Sequence, residues 1–154
     1  MHPINSILQN MKHNIVFFIS LILLSLSACT QTSVNYSIKR TDYVKGSYKN
    51  FEWILQNDSV KVIEYPMSSD PDSVRCYAAL TNHQVNKLQN LLKDIDLSKL
   101  ESNYTNDSVQ GEGHSVYDIS INGSSKHIYV YYVDVPELQM IDAFLFDVTA
   151  DCIF

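Results

Sequence analysis

Residue types that could bind a metal ion or carry acid–base catalysis occur together at Glu112, His114 and Asp118. Two carboxylates and an imidazole could coordinate a divalent metal or exchange protons with a bound substrate. The trio lacks the i, i+4 histidine pair of a helical zinc site and matches no metal motif. We therefore treat these residues as weak metal candidates, because a solvated loop is the more ordinary interpretation of them.

Nucleophilic catalysis has no clearer signature. The Gly-x-Ser-x-Gly elbow of serine hydrolases is absent, and four glycines leave little room for a phosphate-binding loop. Cys76 falls on the apolar face of a predicted strand, and no neighbour clearly favours its thiolate. We therefore predict no catalytic residue and no cofactor, with a small hydrolase or metal-dependent enzyme built on His114 as the alternative.

The most specific chemistry involves Cys29, which closes a short apolar segment. Ile15–Leu26 is apolar apart from two serines, Lys12 precedes it, and the small residues Ser27 and Ala28 follow it. This is the layout of a secretory signal with its cleavage site. A membrane-spanning helix needs about 20 apolar residues, so the length favours a signal over an uncleaved anchor.

The sequence Leu26-Ser27-Ala28-Cys29 resembles the lipobox of bacterial lipoproteins. The resemblance implies cleavage before Cys29 and a diacylglyceryl thioether on its sulfur, which would hold the mature protein at a membrane. Thr30 stands where an Asp retains some enterobacterial lipoproteins in the inner membrane. An outer-membrane location facing the periplasm is therefore expected. The sequence leaves open whether the signal begins at Met1 or at Met11.

These features predict three regions. Residues 1–28 are the signal peptide, residues 29–49 are the lipidated cysteine with a polar tether, and residues 50–154 are a single domain. Within the tether, Ile38–Val44 could add an edge strand. A domain of this length can bury a hydrophobic core.

Alternating and helical apolar patterns predict the fold of the domain. Thr81 and Gln84 predict a capping box at the start of the first helix, and Asn122-Gly123 predicts a hairpin turn. The polar stretch 101–113 is predicted to be an exposed loop. The expected class is α+β, with an antiparallel or mixed sheet of about five to six strands and two helices packed on one face.

Composition limits the partners. The chain carries a net charge of −6 at pH 7, and loss of Lys12 with the signal makes the mature protein more negative. Such a surface cannot neutralise phosphates, so nucleic acid is not a predicted partner. Membrane attachment then depends on lipid at Cys29. A basic protein partner would fit this charge.

Aromatic residues mark a candidate binding surface. Tyr129 and Tyr131 alternate with His127 along a predicted strand, and Tyr104 lies in the predicted loop. Tyrosine offers a large, stiff contact area with a polar tip and is common at interfaces. The alternative is that another part of the chain covers these rings.

Two kinds of covalent modification are also predicted. If Cys29 carries lipid, Cys76 and Cys152 remain to form a disulfide in an oxidising compartment, with two separate buried thiols as the alternative. The tripeptide Asp-Ser-Val occurs three times and is similar to an O-glycosylation acceptor motif of one group of Gram-negative bacteria. Its serines are Ser59, Ser73 and Ser108. Ordinary turn chemistry is the alternative for these sites.

The expected function is therefore that of a membrane-anchored envelope lipoprotein. Its domain would be a non-enzymatic binding module for a protein or peptide partner, for example as an inhibitor or immunity protein. A small envelope hydrolase or metal-dependent enzyme is the first alternative. A structural subunit of an envelope assembly is the second.

Overall fold

The α+β fold is built on one mixed sheet of seven strands. The computed structural model describes residues 33–44, 49–66, 71–111 and 113–153. The elements are, in order, β1 (Tyr36–Val44), β2 (Lys49–Gln56), β3 (Ser59–Pro66), β4 (Ser73–Ala79), α1 (Asn82–Lys93), β5 (Asn103–Thr105), β6 (Gly113–Ile121), β7 (Ser124–Tyr131) and α2 (Pro136–Ile153). The sheet order is β4-β3-β2-β1-β6-β7-β5. All neighbours pair antiparallel except β5 and β7, which are parallel.

The expected class is therefore confirmed, but the sheet has more strands than the five to six predicted. The strand that was not predicted is β5, whereas β1 corresponds to the edge strand suggested over Ile38–Val44. β1 lies in the middle of the sheet, paired with β2 on one side and β6 on the other. The prediction of an edge strand at this position was wrong.

The folded unit also begins earlier than expected. It spans Val34–Phe154, so the tether predicted over residues 29–49 ends before β1. Ile38 is fully buried between Leu55 and Ile119 of the neighbouring strands. The strand was hard to recognise because a charged residue, Arg40, occupies the next buried position.

The sheet buries one face beneath the helices. Trp53 on β2 donates a hydrogen bond from Nε1 to Thr149 Oγ1 on α2, at 3.3 Å. Leu88 and Leu92 of α1 belong to the same buried cluster as these sheet residues. Full burial of each such leucine stabilises the fold by about 1.5–3 kcal/mol. None of the helices in the described part of the chain has the length and apolarity needed to cross a membrane.

Local signals fixed two of the connections as predicted. Thr81 caps α1, because its Oγ1 accepts a hydrogen bond from the backbone N–H of Gln84 at 3.3 Å. In return, the backbone N–H of Thr81 donates to Gln84 Oε1 at 2.8 Å. Asn122 and Gly123 turn β6 into β7 with φ angles of 51° and 84°. Left-handed angles at both positions are what such a tight hairpin requires.

The segment predicted as an exposed loop is partly ordered by the sheet edge. Asn103–Thr105 pairs with β7 as β5, and the Asn106 amide donates to the Tyr131 carbonyl at 3.0 Å. The Gly111 amide donates to the Tyr131 hydroxyl at 2.9 Å. The prediction of a loop was therefore wrong for Asn103–Thr105, because β7 pairs with this segment, although most residues of the stretch are exposed.

Candidate binding groove

Arg40 places a buried charge in the centre of the sheet. Successive side chains of a strand point to opposite faces, so Arg40 follows Tyr36 and Ile38 on the buried face. Its side chain is only 7% exposed, and Nη1 lies 2.6 Å from Asp42 Oδ2. Nε lies 2.8 Å from Asp142 Oδ1 on α2. These carboxylates make the burial possible, because an unpaired charge in this position would be strongly destabilising.

Two hydroxyl groups complete the Arg40 cluster, which consists of Arg40, Asp42, Ser115, Tyr117 and Asp142. Ser115 Oγ donates to Asp42 Oδ1 at 2.6 Å, and the Tyr117 hydroxyl donates to Asp142 Oδ2 at 2.8 Å. Arg40 Nε donates a hydrogen bond to the Tyr117 hydroxyl oxygen at 3.3 Å. Its shorter contact with Asp142 Oδ1 is therefore ionic, and that buried oxygen accepts no aligned hydrogen bond from the described residues.

Aromatic rings enclose the guanidinium. Arg40 Cζ lies 4.8 Å from the ring centroid of Trp53 and 4.9 Å from that of Phe146. The two rings meet edge to face, with their centroids 5.4 Å apart. Cation–π attraction adds about 0.5–2 kcal/mol at such a site. The cluster thus links β1, β2 and α2 through one cation.

Burial and charge pairing set the protonation of the cluster. Burial raises the pKa of Asp142 above its usual range, and Arg40 offsets only part of that effect. Burial opposes the charge on Arg40, but Asp42 and Asp142 outweigh it and raise the pKa of the guanidinium. Burial also raises the pKa of Tyr117, so its hydroxyl stays a donor. The members of the cluster are paired with one another, unlike the accessible base that acid–base catalysis requires.

A groove opens beside the Arg40 cluster, where β1, β6 and β7 meet the first turns of α2. Its volume is about 540 Å³, within the usual range for ligand sites. Its apolar lining is Val130, Val133, Val135 and Leu138, its aromatic lining is Tyr43, His114, Tyr117 and Tyr132, and its charged lining is Arg40, Asp42, Asp134 and Asp142. The lining therefore mixes apolar contacts with polar groups that could orient a ligand.

Stacked rings lie at the end of β1 and β6, on the sheet face opposite the Arg40 cluster. The Tyr43 and His114 rings stack at 4.7 Å between centroids with an interplanar angle of 16°, and His114 also meets Tyr129 at 4.8 Å. Tyr132, just after β7, has a φ of 51° and is 49% exposed. A side chain at Gly111 would overlap the Tyr132 ring, so the ring can occupy this position only because residue 111 is glycine. Aromatic rings fixed in this way form a ready-made contact surface.

The predicted aromatic surface is divided between two faces. His127, Tyr129 and Tyr131 alternate along β7 and share the open face, whereas Tyr104 packs against the buried core. The Tyr131 hydroxyl donates to the Val109 carbonyl at 3.1 Å and is thus engaged with the neighbouring segment. The four residues therefore do not form one continuous surface, and none of them lines the groove.

Of the weak metal candidates, His114 and Asp118 can be placed, and each has other partners. His114 lies in the ring stack, and Glu112 lies outside the described residues. Asp118 contacts Lys39 Nζ at 3.1 Å and His127 Nδ1 at 2.6 Å. Burial opposes the charge on Asp118, but these two partners lower its pKa. In the described part of the chain, no group of three His, Cys, Asp or Glu residues is placed to hold a metal ion.

The predicted modification sites have different environments. Ser73 is exposed, Ser108 is exposed with its Oγ donating to Asn106 Oδ1 at 2.5 Å, and Ser59 donates to the Gln56 carbonyl at 2.9 Å. Ser73 and Ser108 are thus exposed, whereas Ser59 is half-buried. Glycosylation stays a prediction at all of them.

The cysteines can be placed only in part. Cys76 on β4 is buried and disulfide-bonded. Cys29 and the side chain of Cys152 lie outside the described residues. The pairing of Cys76 with Cys152 and the lipid on Cys29 therefore stay predictions.

The Arg40 cluster is the feature that the sequence patterns did not predict as a site. Arg40 and Asp42 fall in the predicted tether, and Asp142 lies 100 residues further along the chain on a helix. One signal was available, because Tyr36, Ile38 and Arg40 alternate and so place a charge at a core-facing position. Its partners could not be named without the three-dimensional fold.

Comparison with known proteins adds no family to this description. No protein-family model matches the chain, and no curated protein is significantly similar to it. Any statement of function therefore depends on the lipobox-like segment and on the groove.

Proposed function

We propose that this chain is a lipid-anchored envelope protein whose domain binds a protein or peptide partner in the groove beside Arg40. The groove is the observation that carries the proposal. It has the volume of a ligand site and combines aromatic, apolar and acidic walls. Its walls come from β1, β6, β7 and α2, so the surface is formed before any partner arrives.

The anchor is proposed from the sequence. Leu26-Ser27-Ala28-Cys29 supports lipidation at Cys29, and Thr30 supports an outer-membrane location facing the periplasm. Because the acyl chains would supply the attachment, the folded domain needs no apolar patch for the membrane. The groove is then free to serve a partner in the envelope.

Binding without chemistry is the better use of these residues. Asp42 and Asp142 are held by Arg40, Ser115 and Tyr117, so the polar groups nearest the groove already have partners. A hydrolase needs a base within reach of a nucleophile or a water molecule. His114, the remaining candidate base, is held in a ring stack on the opposite face of the sheet.

An inhibitor or immunity protein is the specific form we favour. The chain carries a net charge of −6, which complements a basic target and speeds its association. Tight inhibitors place stiff aromatic residues at the centre of their interfaces, and the exposed Tyr132 at the groove suits that use.

Site-specific photo-crosslinking in the native host tests the proposal. A benzoylphenylalanine at position 132 replaces an exposed tyrosine at the groove, and the matched control replaces Tyr77, which is 69% exposed on β4 at the far edge of the sheet. A discrete adduct from position 132 that is absent from position 77 is expected. The same adducts from both positions, or none from position 132, would contradict a binding role for the groove.

A further inference from the structure

We infer that the groove receives a cationic side chain, lysine or arginine, from the protein segment that occupies it. This inference rests on the proposed function and specifies the chemistry of the partner. It depends on the charges, acceptor oxygens and rings that line the groove.

The charged lining of the groove is predominantly acidic. Three carboxylates, those of Asp42, Asp134 and Asp142, face one guanidinium, that of Arg40. Arg40 can balance only one of the three. A recess with excess negative charge and apolar walls concentrates positive ligands, because field lines are focused by the low-dielectric surroundings.

Arg40 is not available to an anion that enters the groove. Its side chain is 7% exposed, its Nη1 and Nε are engaged by Asp42 and Asp142, and Trp53 and Phe146 lie against its guanidinium. An acidic or phosphorylated ligand would therefore meet carboxylates without a free cation. A cation would meet three carboxylates and one guanidinium whose charge is already paired.

Two of the carboxylates keep acceptor capacity for a ligand. Asp42 accepts one hydrogen bond on each oxygen, from Ser115 and from Arg40, and its side chain is 25% exposed. Asp134 accepts from Gln139 Nε2 at 2.8 Å, and the residue is exposed. A carboxylate has about four acceptor positions. Each of these groups can thus accept further hydrogen bonds from an ammonium or a guanidinium.

The aromatic lining suits the same ligand. Tyr132 lines the groove and is 49% exposed, so it keeps accessible surface there. A cation over the face of such a ring is attracted by about 0.5–1 kcal/mol at an exposed site. The apolar stem of lysine or arginine would lie against Val130, Val133 and Leu138, while its charged end reaches the carboxylates.

Titration calorimetry on the full chain in non-ionic detergent provides the test. The probes are blocked nonapeptides of alanine, glycine and tyrosine that differ only at the central residue, which is lysine, arginine, norleucine or glutamate. Norleucine resembles lysine without its ammonium group. We expect the lysine and arginine peptides to bind about tenfold more tightly than the norleucine peptide, and this advantage to shrink as salt is added.

Variants assign the preference to the groove. Asp134→Asn removes a negative charge at an exposed position, so the fold should persist. The variant should bind the lysine peptide several-fold more weakly and the norleucine peptide with unchanged affinity. Asp42→Asn should weaken the lysine peptide further. The control is Glu101→Gln, which removes an exposed carboxylate outside the groove and should leave all affinities unchanged.

Equal affinity for the lysine and norleucine peptides would overturn the inference, as would an unchanged lysine affinity in Asp134→Asn. If a specific adduct still forms at position 132 in either case, the groove binds a partner without a cationic anchor, and the proposed function survives. If neither the peptides nor the crosslinker detect binding, both proposals fail.

Discussion

The Nε atom of Arg40 lies 2.8 Å from Oδ1 of Asp142, and this ion pair joins the central strand to the C-terminal helix. Both residues also line the groove. The position of α2 against the sheet, and with it the shape of the groove, therefore depends on a buried charge pair. Its geometry leads to the first two predictions.

Replacing Arg40 by methionine should destabilise the domain strongly. Arg40→Met keeps the bulk of the side chain but leaves Asp42 and Asp142 buried without their counter-charge. Removing one partner of a buried ion pair costs about 3–5 kcal/mol. Urea unfolding followed by the emission of Trp53, the single tryptophan, measures the change.

A surface pair supplies the matched control. Lys87 Nζ lies 3.1 Å from Asp147 Oδ2, and both side chains are more than half exposed. Exposed pairs contribute little because solvent screens them, so Lys87→Met should leave the urea midpoint nearly unchanged. Equal losses of unfolding free energy in the two variants would mean that the buried Arg40 pair contributes no more to stability than an exposed pair.

The pH dependence of stability should report on Asp142. Because burial raises its pKa in the folded protein, the folded state holds this proton to a higher pH than the unfolded state does. Stability contributed by the protonated form is complete below about pH 4 and is lost as the pH rises through the raised pKa. Relative to Asp142→Asn, the wild type should therefore lose free energy of unfolding with increasing pH.

Urea unfolding at a series of pH values from 3 upward measures this difference. The control is Asp147→Asn, which removes an exposed carboxylate from the same helix. The pKa of Asp118 is lowered by its partners, so its contribution to stability increases with pH. This contribution is the same in every variant and cancels when their free energies of unfolding are compared. A difference between wild type and Asp142→Asn that grows with pH would contradict the assigned direction.

Strong local patterns made most elements predictable. Strands β2, β3, β6 and β7 alternate clearly, the Asn122-Gly123 turn sets one hairpin, and the Thr81 capping box sets the start of α1. In each case the signal lies within a few residues of the structure that it produces. Propensity and periodicity then agree with the fold.

The remaining features depend on residues far apart in the chain. β1 carries Lys39, Arg40, Thr41 and Asp42 in succession, so its composition resembles a tether. As a central strand it buries Arg40, which Tyr117 and Asp142 supply with partners. β5 is three residues long and forms only beside β7. Pairings across such distances leave no local pattern, which is why the groove was not predicted.

The central position of β1 has a direct test. Ile38→Ala removes a fully buried side chain from this strand and should cost about 2–5 kcal/mol of unfolding free energy. Ser37→Ala changes the neighbouring exposed residue and should stay within about 0.5 kcal/mol of the wild type. Residue 38 in a tether would instead tolerate the change as well as residue 37 does.

The disulfide of Cys76 should pair it with Cys152. If Cys29 carries lipid, Cys152 is the only cysteine left for the bond. A bridge that closes a loop of this length stabilises the fold by roughly 4 kcal/mol in the chain-entropy treatment. Cys76→Ser, Cys152→Ser and the double variant should therefore lose about the same amount, because one bond is lost in each.

Mass spectrometry of a non-reduced digest identifies the pairing itself. A peptide pair joining Cys76 to Cys152 is expected, and it should separate after reduction. A pair joining Cys76 to Cys29 would contradict both this bridge and the lipid on Cys29, since one sulfur cannot carry both bonds.

Lipidation at Cys29 is the prediction on which the proposed envelope location depends. A thioether needs this sulfur, so Cys29→Ala should abolish metabolic labelling by an alkyne fatty acid and leave a precursor that retains its signal. Cys152→Ala is the matched control, because it removes a cysteine outside the lipobox and should keep the label. Processing depends on the lipid in this pathway, so both readouts should change together. Labelling that persists in Cys29→Ala would mean that the acyl group lies elsewhere, and the groove would then need a partner from another compartment.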